Sequence, residues 1–95
     1  MSVALIGGMD RLVRGYITEA QRLGINLKVF TRPVKNLHSR IGDVEAIIVF
    51  TDKVSHQLKD EAKRVGRLKD IPVLMHHSCG ICRLRDCLRC IKKFR

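Results

Sequence analysis

Apolar residues fall along the chain in short unbroken runs, separated by stretches where they recur every third or fourth position. Val3 to Ile6 is apolar throughout and ends at Gly7-Gly8, which predicts a strand buried on both sides. Leu12, Val13, Tyr16, Ile17, Ala20 and Leu23 then make one helical stripe, with Asp10 placed to cap the helix and Gly24 to stop it. Leu27 to Phe30 predicts a second strand. Pro33 can open a short helix carrying Val34, Leu37 and Ile41 on one side and ending at Gly42. Ala46 to Phe50 is the clearest strand pattern in the chain. Thr51 or Asp52 is placed to cap a third helix whose inner stripe is Val54, Leu58, Ala62, Val65 and Leu68. Pro72 to Met75 predicts a short fourth strand. In the last segment Leu84, Cys87, Leu88, Ile91 and Phe94 would share one helical face, with arginines and lysines on the other.

Four strands therefore alternate with three helices before the final segment, and apart from Lys28 the strands are apolar throughout. That combination predicts an α/β fold: one small domain with a four-stranded parallel sheet and helices on both faces. Residues 1–78 form this core, and residues 79–95 form a Cys-rich basic segment packed on the same domain. In a parallel sheet the strand ends gather at one edge, where open α/β folds bind ligands. The residues just past the strands are Gly7-Gly8, Thr31-Arg32, Thr51-Asp52 and His76-His77-Ser78-Cys79.

At 95 residues and 45% hydrophobic content, the chain can bury one core. It has no tryptophan, one tyrosine and three phenylalanines, so that core is aliphatic and platforms for stacking bases are scarce. No apolar run approaches the roughly 20 residues of a membrane span, and the first residues lack the basic start of a signal peptide. The chain reads as cytoplasmic, where clustered cysteines are ligands or redox centres more often than structural disulfides.

Net charge sharpens the picture. The formal value is +10, and Arg83, Arg85, Arg89, Lys92, Lys93 and Arg95 face only Asp86 near the C-terminus. Such a segment is either a solvated surface or a patch for an anion such as nucleic acid, phosphate or a carboxylate-bearing cofactor. Arg83, Arg85 and Arg89 are the candidate anion-binding residues.

All four cysteines lie in "CGICRLRDCLRC": Cys79, Cys82, Cys87 and Cys90. Two C-x-x-C pairs suit zinc or an iron–sulfur cluster, because each pair can chelate one side of an ion through thiolates. The spacer between the pairs is only four residues, whereas zinc ribbons separate theirs by more than about ten. Three further readings stand beside a four-cysteine centre. Cys87 and Cys90 could be small buried residues of a terminal helix. Cys79 and Cys82 alone could form a thiol–disulfide switch. A histidine could replace one sulfur.

His76 and His77 adjoin at the end of a strand, so only one of them faces a given site. His56 opens the third helix near the same edge, and His38 reads as a surface residue. Haem is the alternative cofactor, with His76, His77, His56 or Cys79 as axial ligand and arginines meeting its propionates. A domain this small would hold it best at a subunit interface. Gly7-Gly8 occupies the place of a phosphate-binding turn but lacks G-x-G-x-x-G. No Ser-His-acid set or carboxylate pair suggests catalysis.

The stretches "VALIGGMDRL", "AIIVFTDKVSH" and "IPVLMHHSCGICRLRDCLRC" resemble a bacterial family of small domains of unknown function, number twenty-three twenty-five in the domain catalogues. The marks are Gly7 and Gly8 after the first strand, Ser55 and His56 opening the third helix, and His76 or His77 after the fourth strand. The cysteine tail is shared by only some members. The resemblance implies a Rossmann-like domain that forms homo-oligomers, with haem binding an associated property and no established activity. The expectation is a non-enzymatic domain binding a metal or iron cofactor through its cysteines, as a redox- or metal-responsive module. Haem binding at an oligomer interface is the first alternative, and nucleic-acid binding by the basic segment is the second.

Overall fold

The computed structural model describes residues 1–93. Four strands, β1 (Ser2–Gly7), β2 (Asn26–Phe30), β3 (Ala46–Phe50) and β4 (Val73–His76), form one parallel sheet in the order β2-β1-β3-β4. The helices are α1 (Val13–Arg22), α2 (Leu37–Ile41), α3 (His56–Lys69) and α4 (Ile81–Lys93). The expected α/β architecture is the one observed. Phe94, expected on the inner face of the last helix, lies outside the described residues.

Side-chain alternation along the strands builds two cores. Val3 and Leu5 of β1, with Ala46, Ile48 and Phe50 of β3, point to one face, where Tyr16 and Ala20 of α1 and Leu84, Cys87, Leu88 and Ile91 of α4 cover them. Ala4, Ile6, Ile47 and Val49 point to the other, beneath Leu37 and Ile41 of α2 and Leu58, Ala62 and Val65 of α3. Both central strands are thus buried on both sides, as their unbroken apolar runs require. The cysteine-rich helix is one of the two layers over the first face.

Four local expectations are corrected. Asp10 does not cap α1. It begins a 3₁₀ turn, and its carboxylate instead accepts hydrogen bonds from Thr31 and Arg32 beyond β2. These bonds, Thr31 first, hold its carboxyl below the usual range. Pro33 does not open α2; the helix starts at Leu37 after Asn36, which takes a left-handed backbone. Thr51 and Asp52 form their own 3₁₀ turn, and α3 is capped by Ser55, whose Oγ accepts from the Leu58 amide at 3.1 Å. Leu68 is 62% exposed, because Gly66 completes the buried stripe of α3. Gly66 lies so close to Val73 that a Cβ there would stand 2.4 Å from its Cγ2.

Candidate functional site

Ligands of open α/β sheets usually bind where the strand order reverses, here between β1 and β3. In this chain that crevice is filled by its own backbone. Gly7 and Gly8 adopt φ of +93° and +91°, and the Gly8 amide donates to the Lys53 carbonyl at 2.8 Å. A Cβ on Gly7 would meet that carbonyl at 2.8 Å and the Phe50 carbonyl at 2.9 Å. The Met9 amide is taken by the Tyr16 hydroxyl at 3.3 Å. The double glycine closes this turn tightly, and the amides of Gly8 and Met9 point inward, away from any phosphate outside.

An open apolar space lies instead beside the edge strand. β4 has a neighbour on one side only, and α4 runs over the adjacent face. Between them is a groove of about 300 Å³, floored by Leu74 and Ile91, walled by His76, Cys87 and Cys90, and rimmed by Arg83 and Asp86. Leu74 and Ile91 also line an adjoining hollow of about 580 Å³ that reaches Ala46, Ile71 and Pro72.

The strand decides between the two histidines. His76 shares the parity of Leu74 and turns to the α4 side, while His77 is exposed. His76 Nε2 and Cys87 Sγ are 3.1 Å apart in a hydrogen bond. The His76 carbonyl accepts from Thr51 Oγ1 at 3.4 Å. Burial, with a smaller contribution from Cys90, pushes the Cys87 thiol up to about 11. The protonated thiol then donates to an unprotonated Nε2, which satisfies both groups.

The other two sulfurs are elsewhere. Cys82 is exposed in the first turn of α4, and its Sγ accepts from Arg85 Nη2 at 3.3 Å. Arg85 is held in turn by Glu19, with Nε and Oε1 3.0 Å apart. Cys79 precedes the helix, half-buried against the first core. Its thiol faces the Asp52 carboxylate, and burial followed by that charge raises its pKa. Cys90 is exposed one turn beyond Cys87. Cys82 and Cys87 sit about 140° apart around the helix, so four thiolates on one ion would require the start of α4 to unwind. Among the described residues, no three His, Cys, Asp or Glu side chains are grouped to hold a metal ion.

Of the remaining candidates, His56 is exposed at the first residue of α3 and does not line the groove. Arg83 and Arg89 are exposed, Arg85 is half-buried, and the exposed Lys92 donates from Nζ to the Leu23 carbonyl at 2.6 Å. Among the described residues no helix is long and apolar enough to cross a membrane.

Reading the sequence alone misses Tyr16 as an organiser. It is fully buried, packs edge-on against Phe50, and donates from its hydroxyl to the Cys79 carbonyl at 2.6 Å. Burial raises its pKa as well. The available signal was its place in an otherwise apolar stripe, since a buried phenol needs a polar partner.

A solved structure described as a de novo designed Rossmann fold protein superposes with a TM-score of 0.66 over 96% of both chains, at 15% identity; this likeness concerns the fold alone. No curated protein matches the chain. Residues 2–91 match the model of a family described as an uncharacterized protein conserved in bacteria, and the chain belongs to that family, DUF2325.

Proposed function

We propose that this domain binds an iron cofactor in the groove between β4 and α4, and that the cofactor is haem. The observation that carries the reading is the His76–Cys87 pair, 3.1 Å apart on the wall of an apolar groove. A bare ion asks the protein for three or four donors. A porphyrin brings four nitrogens of its own, so its iron needs one or two more, and imidazole or thiolate serves. Two paired donors in apolar surroundings therefore suit haem better than an isolated ion. Arg83 at the rim has the charge to meet a propionate.

The chain's part would be to hold and orient. His76 is anchored through its backbone, its Nε2 would give up the Cys87 contact to ligate iron, and Leu74 and Ile91 supply apolar surface. Bound haem would supply redox and gas-ligand chemistry at iron. The groove is open on the β4 side, and a second copy of the chain covering it would make the homo-oligomer part of the site.

Hemin titration tests this. A Soret band should appear at a defined stoichiometry, shift or weaken in His76→Ala or Cys87→Ser, and persist in Cys82→Ser. Identical spectra for wild type and the His76→Ala/Cys87→Ser double variant would overturn the site. Size measurement with and without hemin tests the oligomer.

A second reading is favoured by Cys90, which lines the same groove one turn beyond Cys87. His76, Cys87 and Cys90 together offer a soft set for zinc or an iron–sulfur centre after side-chain rearrangement. Metal analysis of anaerobically purified protein distinguishes the two, since this reading requires stoichiometric metal without a porphyrin spectrum.

A further inference from the structure

We propose that Cys79 and Cys82 form a separate redox site that undergoes thiol–disulfide exchange with small disulfides, Cys82 attacking and Cys79 resolving. The two residues straddle the start of α4. The Gly80 carbonyl between them accepts from the Leu84 amide at 3.1 Å and so closes the first helical turn. A C-x-x-C pair at a helix start is a setting in which thiols react.

The surroundings divide the roles. Cys82 is exposed and Arg85 already aims Nη2 at its sulfur. A thiolate formed there has a cationic donor in place, and that donor is fixed by Glu19. Cys79 is half-buried and faces Asp52, with its backbone fixed by Tyr16. An incoming disulfide reaches Cys82 first.

The electrons balance. The Cys82 thiolate attacks one sulfur of a small disulfide, forming a mixed disulfide and releasing one thiolate. Cys79 loses its proton to water and attacks Cys82 Sγ. The mixed bond breaks, the Cys79–Cys82 bond forms, and the second small thiolate leaves, taking up the proton. Two cysteine thiols are oxidised and one small disulfide is reduced to two thiols. The groove is not involved: His76, Cys87 and Cys90 take no part, so the proposal stands or falls apart from cofactor binding.

The experiment uses the intact chain, reduced and then treated with glutathione disulfide, followed by mass mapping of the products. Wild type should lose two hydrogen masses and yield a 79–82 disulfide. Cys79→Ser should accumulate a mixed disulfide on Cys82, and Cys82→Ser should form neither product. A disulfide mapping mainly to Cys87 or Cys90 would overturn the assignment. So would absence of the trapped adduct in a Cys79→Ser protein whose circular dichroism shows it folded.

Discussion

The two C-x-x-C pairs have identical spacing and opposite surroundings. Cys79 and Cys82 sit across the start of α4, near an arginine, a carboxylate and solvent. Cys87 and Cys90 lie a turn or more into the same helix, one facing the core and the other the groove. The difference comes from helical phase. Once Leu84 and Leu88 are fixed against the sheet, Cys87 must follow them inward and Cys82 must point away. A spacing motif sets which sulfurs are neighbours in sequence, and the helix then decides which of them meets water, a charge or an imidazole. The first pair includes an exposed thiol beside an arginine, and the second a buried thiol paired with an imidazole.

The strongest way to break this comparison is to loosen the helix that imposes it. Leu88 is fully buried beside Cys87, and Leu88→Ala should cost about 2–5 kcal/mol in denaturant unfolding. Cys87 should then label with a thiol reagent nearly as fast as Cys90. Retention of full Cys87 protection in the destabilised variant would mean that helical phase does not protect it.

The next effect is a pH dependence to which the second pair contributes through Cys87. The Cys87 thiol titrates at about 11 in the fold, against about 8.5 in an unfolded chain. The fold favours the neutral form, so the stabilisation is complete below about pH 8.5 and is lost as pH rises toward 11. The unfolded chain has released the proton that the folded chain still holds, and the loss is on the order of 3 kcal/mol. Comparing the slopes of wild type and Cys87→Ala separates this from Tyr16 and Cys79, which titrate with the same sign. Equal slopes would remove the buried-thiol account.

Tyr16→Phe acts on the first pair. It deletes the hydrogen bond to the Cys79 carbonyl and should cost about 1 kcal/mol. Cys79 should react faster with a thiol reagent while Cys87 remains protected. The smallest effect is expected from Arg83→Ala at the exposed rim. Stability should stay within about 0.5 kcal/mol, whereas hemin affinity should fall if Arg83 meets a propionate.

The fold was readable because burial on both sides of β1 and β3 leaves unbroken apolar runs, and because Leu58, Ala62 and Val65 keep strict helical spacing. The errors fell at element ends, where short-range partners compete. Asp10 had Thr31 and Arg32 available across the sheet edge and Ser55 was the better-placed cap, so neither Asp10 nor Thr51 or Asp52 took that role. Leu68 lost the inner position to Gly66 because only a glycine allows α3 so near Val73. The site was half readable. The sequence placed His76 and the cysteines together at the sheet edge, but choosing His76 over His77 needed the parity of β4. Dividing the sulfurs needed the exact residue at which α4 begins. The filled crevice at Gly7-Gly8 was hidden because a double glycine serves equally for cradling a phosphate and for admitting a neighbouring carbonyl.

α4 follows every strand in the chain, yet Leu84, Leu88 and Ile91 seal one face of the sheet. A chain emerging from the ribosome can therefore pair its strands before this face has its cover, and the interval leaves Leu5, Ile48 and Phe50 partly wet. Docking of the helix ends that interval and, in the same event, brings Cys87 to His76. The His76–Cys87 contact is thus tied to completion of folding: a half-built chain has the thiols but not the pairing.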